Sequence, residues 1–425
     1  MNINKRHINA TCRNVFRKML ALGAVCCTSL CLMAQNSTSS PFSIFGIGEI
    51  ESRDFGVSTG MGNATIGLRS RNLLNHRNPA GLGGIDTLKF IFDFSGSVKF
   101  SDFTTSALHE RATNFNFKNL AVGFRVTRRW TVSVGLSPYT NVGYSISKPE
   151  LIEGSLDRFN VIYTGDGGVN RFYWSNSMEL FKGLTAGVSA SYYFGTVTHT
   201  ETAPSIVISE TMTANKINLD FGMQYSHLFQ QHTRVTVGGV YSYKSDFKLY
   251  RSQMIANQSS GYILKEEKIP DKKMFLPESY GAGFSVWRNK NNAEWLFSAD
   301  CYRQNWSVNN ERLRGIVYTN SRMYNAGVQF TPNTKRPSGY MEIIRYQIGA
   351  CYNESYMAIN GRQMKDYSVS VGVGLPFFRG LSYVNVAAVI GQSATGYRGG
   401  IKENYALLSV NLSLIESWFK KAKYD

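Results

Sequence analysis

The sequence predicts an all-β chain, a transmembrane antiparallel β-barrel of about fourteen strands with an irregular segment ahead of it. Three observations carry this expectation. A secretory leader opens the chain, and no later run is long and apolar enough for a membrane helix. From Leu88 onward, apolar and polar residues alternate with a period of two over long segments. The connections between those segments alternate between tight turns and longer loops.

The leader comes first. Residues 1–18 carry Lys5, Arg6, Arg13, Arg17 and Lys18 without an acid, and residues 19–34 read MLALGAVCCTSLCLMA. A basic start, a short apolar run and a small residue before Gln35 predict a signal peptide over 1–34, cleaved after Ala34. Its loss takes five basic residues, so 46 Lys and Arg become 41 against 29 Asp and Glu, and the net charge falls from +17 to +12. The remaining basic residues are scattered over turns such as VTRRW, RNKNN and NTKRP instead of gathered on one face. That argues against nucleic acid as a partner and fits solvated charge or contact with outer-membrane lipid. Four of the six cysteines leave with the leader, and Cys301 and Cys351 remain. The 24 Tyr, 26 Phe and 39 Gly against 10 Pro favour β structure.

The strands follow. In LTAGVSASYYF, Leu184, Ala186, Val188, Ala190, Tyr192 and Phe194 share one face, and Thr185, Gly187, Ser189, Ser191 and Tyr193 the other. KINLDFGMQY sets Ile217, Leu219, Phe221 and Met223 against Asn218, Asp220, Gly222 and Gln224; NYALLSVNLSL repeats the pattern near the end. Apolar-out, polar-in alternation suits barrel strands. A soluble sandwich shares it, but these segments exceed the roughly 5–6 residues typical of soluble strands. Fourteen segments are expected, at about 87–102, 112–127, 130–148, 168–181, 184–200, 211–229, 233–250, 272–288, 292–306, 319–332, 341–357, 364–377, 380–396 and 401–418. TRR, FKG, QQHT, NKNN and FRG make tight turns at one end; longer loops, including 149–167 and 251–271, lie at the other. Trp130, Trp295 and Trp418 fall at the short-turn end, where an interfacial aromatic girdle is expected. An even strand number puts both termini at that end, in the periplasm.

The irregular lead contains FGVSTGMGNATIG (residues 55–67) and HRNPAGLGG (residues 76–84), and the third strand contains GLSPYTNVGY (residues 135–144). Asn78, Pro79 and Ala80 after a glycine-rich lead, a proline-bearing third strand and the ending ESWFKKAKYD together resemble the FadL family of outer-membrane channels for hydrophobic compounds. Residues 163–195 add to this likeness, which spans the mature chain. The resemblance implies localisation in the outer membrane of a Gram-negative bacterium, with passive uptake of hydrophobic molecules or lipids, long-chain fatty acid-like, as the activity. It also implies that residues 35–86 fold as a hatch inside a barrel of residues 87–418, with a short periplasmic tail at 419–425. In such proteins a kink in the third strand opens a lateral path to the membrane, here at Gly135 and Pro138. An alternative of another class is a FadL-shaped scaffold or adaptor with outer-membrane protein partners, serving an export or assembly complex. A filled lumen would favour the adaptor, and a continuous apolar pocket the channel.

Physical reasons accompany the resemblance. A barrel this wide is not filled by its own side chains, so the lead offers itself as filling. An ordinary periplasmic linker is the plainer alternative, but Phe42, Phe45 and Phe55 argue against free disorder. Proline cannot donate to a ladder, so Pro138 predicts irregular pairing around residues 135–139, as a lateral opening or as a bulge with no transport role. The inner face should carry Lys89, Asp93, Asn119, Arg125, Asn218, Asp220, Asp300, Gln329, Gln347 and Asn385. Phe115 and Phe117 face inward as a ligand pocket if strand two is regular, and outward if a bulge intervenes near Lys118. Lys99, Lys118 or Arg171 would be the groups to meet a carboxylate head. No cofactor is implied, and the scattered His76, His109, His199, His227 and His232 match no metal-ligand spacing. His109 with Glu110 and His199 with Glu201 are the nearest approach to a catalytic pair, and the chain is not expected to be an enzyme. Cys301 should face out and Cys351 in, one strand apart, so no disulfide joins them.

Overall fold

The computed structural model describes residues 39–417 apart from 107–108, 152–157, 231, 310–311, 314, 335–336, 378–381 and 397–398. The expected signal peptide, the tail and Trp418 lie outside the described residues.

Period-two alternation becomes a closed antiparallel barrel of fourteen strands. They are β1 (Lys89–Thr104), β2 (His109–Arg125), β3 (Trp130–Leu151), β4 (Arg158–Phe181), β5 (Leu184–Thr202) and β6 (Ile206–Phe229). Then come β7 (Thr233–Ser242 continuing as Ser245–Asn257), β8 (Ile263–Leu276 continuing as Ser279–Lys290), β9 (Ala293–Gln304) and β10 (Ser321–Thr331). The last four are β11 (Arg345–Ile359), β12 (Arg362–Phe377), β13 (Ser382–Ala394) and β14 (Lys402–Ser417). Each pairs with its neighbours in sequence, and β14 returns to β1 with Ser417 opposite Lys89 and Lys402 opposite Thr104. Closure removes the exposed edges that an open sheet would present.

The two faces divide as the alternation requires. Ile217, Val237, Ile348, Val369 and Ile390 stand exposed on the outer wall, stable there because the surrounding solvent is hydrocarbon. Asp93, Asn119, Asp220, Asp300, Gln347 and Asn385 are buried on the inner wall. Trp130 and Trp295 are exposed near the short turns. Cys301 and Cys351 are free, exposed and half-buried respectively, on β9 and β11 with β10 between.

The strands correct the expected loops. Residues 149–167 and 251–271 are mostly strand: β3 runs to Leu151, β4 starts at Arg158, β7 reaches Asn257 and β8 starts at Ile263. These hairpins project beyond the apolar band, so both faces meet water and alternation disappears while the backbone ladder continues. A further small hairpin, Arg312–Leu313 with Ile316–Tyr318, lies between β9 and β10 and pairs with the far end of β11.

Ahead of β1, residues 39–86 hold three short 3-10 turns, Pro41–Ile44, Gly56–Met61 and Pro79–Gly84, and a two-residue strand, Glu49–Ile50. The turn at Gly56–Met61 packs on β10 to β14, and that at Pro79–Gly84 on β3 to β6. Most of the segment is buried. With few long ladders of its own, it satisfies its backbone on the barrel's inner-wall side chains.

Candidate functional site: the lumen and the seam beside the third strand

Glycines on the inner wall let the N-terminal backbone come close. Asn78 caps the turn after it, its Oδ1 accepting from the Ala80 N–H at 3.1 Å, and its Nδ2 donates to Ile66 O at 2.9 Å and Met223 O at 3.3 Å. Pro79 and Ala80 then lie against Gly187 and Gly222, where a Cβ would collide with Asn78, Pro79 or Ala80. Gly327 and Gly349 receive Met61 and Gly62 in the same way. Polar side chains complete the seat. Asp300 accepts the N–H groups of Thr65, Ile66 (2.7 Å) and Gly67 (3.4 Å). Arg77 forms a buried ion pair with Asp54 and stacks 4.4 Å over the Tyr302 ring. Arg53 reaches Asp220 at 2.9 Å and the Tyr193 hydroxyl at 2.8 Å.

His76 joins the segment to β2 and β4. The Tyr173 hydroxyl donates to Asn119 Oδ1 at 2.8 Å and lies 2.7 Å from His76 Nδ1. With that hydroxyl proton committed to Asn119, His76 Nδ1 is the donor and the ring is neutral. Burial, with the Arg171 charge nearby, pushes His76 down to about 3.

Toward the long-loop end the space is filled. Phe42, Phe45 and Ile47 pack with Tyr139, Tyr193, Phe247, Trp306 and Tyr318 in one buried apolar cluster. The Phe45 and Tyr318 rings are 4.6 Å apart, and Trp306 stacks on Tyr318 at 5.6 Å. Beside this cluster remains a cavity of about 280 Å³, lined by Glu49, Glu51, Lys99, Lys118, Asp366 and Glu403 among others. Lys99 pairs with Glu403 at 2.7 Å and Lys118 with Glu51 at 2.5 Å. Burial raises Glu49; it would also raise Glu51, but the Lys118 charge and hydrogen bonds from Lys118 and Asn141 hold Glu51 below its ordinary value.

The barrel parts between β2 and β3. Their pairing covers only residues 120–125 against 131–136. Beyond Leu136, β3 keeps its ladder with β4, interrupted by a bulge between Pro138 and Thr140 that turns Tyr139 into the buried interior. The seam is bridged by the N-terminal segment. Glu49 and Ile50 pair with Asn141 and Thr140, the Ser40 N–H donates to Gly143 O at 2.8 Å, and the Ser39 N–H donates to Asn114 Oδ1 at 2.9 Å. Asn141 Nδ2 donates to Glu51 at 2.7 Å. Gly135 lies where the Tyr173 ring crosses the inner wall, which leaves no room for a side chain.

Of the ligand-binding residues expected from sequence, Lys99 and Lys118 line this cavity, whereas Phe115, Phe117 and Arg171 do not. Ser95 faces Asn119 but Gly96 faces Phe117, so Lys118 is the extra residue of a bulge. The inward pocket of Phe115 and Phe117 is therefore corrected: Phe115 is exposed and Phe117 meets Phe94 on the outer wall at 6.0 Å. Lys118 turns inward and is already paired. Arg171 is buried away from that cavity, stacked 4.9 Å from Tyr173. Asn78, Pro79 and Ala80 sit on the inner wall of β5 and β6, far in sequence from the seam at Pro138. His109 meets Asp102 at 2.6 Å and His199 meets the Tyr144 hydroxyl at 2.7 Å. Among the described residues no three His, Cys, Asp or Glu side chains stand together as a metal site. Sequence reasoning missed Glu49, Glu51, Arg53, Asp54 and Arg77, five charged residues in a stretch read mainly for glycine and phenylalanine. Their density there was the available signal, since charge so close to expected buried aromatics requires partners.

The fold is similar to those of solved transporters. The Pseudomonas putida toluene transporter TodX superposes with a TM-score of 0.59 at 14% identity, covering 88% of this chain and all of that one. A Pseudomonas aeruginosa FadL homologue gives 0.57 at 11% identity, with 88% and 100% covered. The Ralstonia pickettii toluene transporter TbuX gives 0.57 at 14%, with 88% and 98% covered. No curated protein matches the sequence. The fourteen-strand barrel and its buried N-terminal segment extend through nearly all of a match to one family model, BamG, over residues 16–425, and the chain belongs to the BamG family.

Proposed function

We propose that the chain is a sealed outer-membrane barrel acting as a scaffold or adaptor in a protein-export or assembly complex, with residues 39–86 as its lumen-occluding hatch. In this reading residues 1–34 are removed on export, residues 87–418 form the barrel, and residues 419–425 remain in the periplasm. The observation that supports it is the content of the lumen. Pockets for apolar ligands are typically about 300–1,000 Å³ and mostly apolar. Here the apolar cluster is filled by side chains, and the cavity of about 280 Å³ beside it carries two ion pairs, Lys99–Glu403 and Lys118–Glu51, in a wall that also holds Phe42, Met357 and Leu407. An apolar ligand would strip water from those charges without replacing it. The test joins crosslinking in intact outer membranes with uptake of labelled oleate by cells that have or lack the protein. Stoichiometric outer-membrane protein partners and unchanged uptake are expected. A barrel crosslinked to no protein, with uptake lost on deletion, would overturn the scaffold reading.

A second reading, passive uptake of hydrophobic molecules with lateral release near Gly135 and Pro138, draws support from the seam between β2 and β3 and from the likeness to hydrocarbon channels. Under it, Asn78, Pro79 and Ala80 anchor the moving hatch and Lys118 and Arg171 meet an acidic head group. Pro138→Val would restore a ladder donor and slow oleate uptake in a folded barrel; unchanged uptake removes the transport role of the kink.

A further inference from the structure

At the short-turn end, five arginines gather around the N-terminal segment. Arg69 and Arg71 come from the N-terminal segment, Arg125 from β2, Arg234 from β7 and Arg345 from β11. Arg69 and Arg125 both donate to the Gly83 carbonyl, at 3.0 and 2.5 Å. Arg69 also donates to Thr185 Oγ1 at 3.0 Å, and Arg125 Nε is buried without a partner. Arg234 stacks 5.3 Å from Trp287 and Arg345 3.6 Å from Tyr383. Carbonyls and rings satisfy donors but carry no net charge, so the positive field persists. Among the described residues, the one carboxylate paired with any of the five is Asp86, 3.4 Å from Arg71, and both are exposed. Glu179 and Glu294 lie near Arg69 and Arg234 without pairing to them. The nearby turns add Arg128, Arg129, Lys182 and Lys290.

We propose that this mouth binds an acidic segment of a periplasmic partner protein, with aspartate or glutamate side chains meeting Arg71 and Arg234. The proposal deepens the scaffold reading and rests on it. Outer-membrane barrels turn their short-turn end to the periplasm. Lipid surrounds a barrel from the side, where headgroups reach outward-facing residues; Arg69, Arg125, Arg234 and Arg345 instead meet the N-terminal segment and inner-wall rings. A chain arriving from the periplasm reaches them, and guanidinium favours carboxylate geometry.

The experiment uses the full-length barrel in phosphatidylcholine nanodiscs and a dye-labelled peptide of alternating Glu and Ser, with a Gln and Ser peptide as control. Only the Glu peptide should bind, more weakly at high salt. The double variant Arg71→Gln with Arg234→Gln should weaken it by about tenfold or more. Arg71→Lys with Arg234→Lys should retain most binding and shows that the mouth still folds. Arg322→Gln with Lys365→Gln, on the outer wall toward the opposite end, should bind as the wild type does. Equal binding of both peptides, or equal loss from the Arg322 and Lys365 variant, overturns the proposal. So does loss of binding once phosphatidylglycerol replaces the neutral lipid, which would assign the arginines to headgroups. If the peptide fails while protein partners still crosslink to the wild type, only the mouth proposal falls; the absence of those partners counts against the scaffold reading itself.

Discussion

At Gly222 the inner wall of β6 lacks even a Cβ, and Asn78 and Pro79 occupy the space it would fill. Gly222→Val is therefore expected to unseat the turn at Pro79–Gly84 while leaving the outward apolar face intact. Limited trypsin digestion should then cleave at Arg77, which is buried in the wild type; unchanged protection would mean that the wall yields. Arg77 and Asp54 make a sharper case, because both side chains are buried. Removing one partner of a buried pair costs about 3–5 kcal/mol, since the other charge stays desolvated. Asp54→Asn should lower the unfolding temperature of the barrel far more than Asp102→Asn, whose carboxylate is half exposed beside His109. Equal shifts would contradict the burial. These partnerships were half legible: Asp300, Asn119 and Gln347 could be assigned inward from alternation, whereas nothing local tells Asp54 that its partner is Arg77.

Among the elements, β3 carries the most information. Period-two patterning holds up to Leu136, Pro138 removes a donor, and the ladder to β2 ends there. Glu49 and Ile50 take the place of the missing strand. That seam is expected to respond to pH through Glu51. Its folded value lies below the ordinary one because of Lys118 and Asn141, so its contribution is present above the unfolded carboxylate value and is lost as pH falls through the folded value. Acidification below about pH 4 should accelerate hydrogen exchange at the Ile50 and Glu51 amides relative to the β4–β5 ladder. Glu51→Gln should flatten that dependence and separates it from Glu49, which burial moves the other way. An identical pH profile in the variant would remove Glu51 from the seal. The kink was legible because proline acts locally. The bulge at Lys118 was not, because alternation through NFNFKNLAVGF fits both registers, and the partner that the inward Lys118 meets, Glu51, is more than sixty residues away. The water-exposed hairpins of β3–β4 and β7–β8 were misread as loops because alternation reports a difference between two faces, and theirs meet the same solvent.

For the molecule as a whole, fourteen strands could be counted because lipid outside and polar groups inside impose one period on every strand. The filling could not be read with the same certainty, since residues 39–86 have no period and take their shape from the wall. Apolar packing around Phe45 and Trp306, the Asp300 seat and the Lys118–Glu51 bridge all join the N-terminal segment to the barrel. The central claim, that the N-terminal segment seals the barrel, is tested most directly by single-channel conductance in planar bilayers, comparing the intact chain with one lacking residues 36–84. The intact barrel should be silent to small ions and the deletion should open discrete, long-lived steps. Equal conductance of the two proteins would contradict the account and return HRNPAGLGG to the status of a linker.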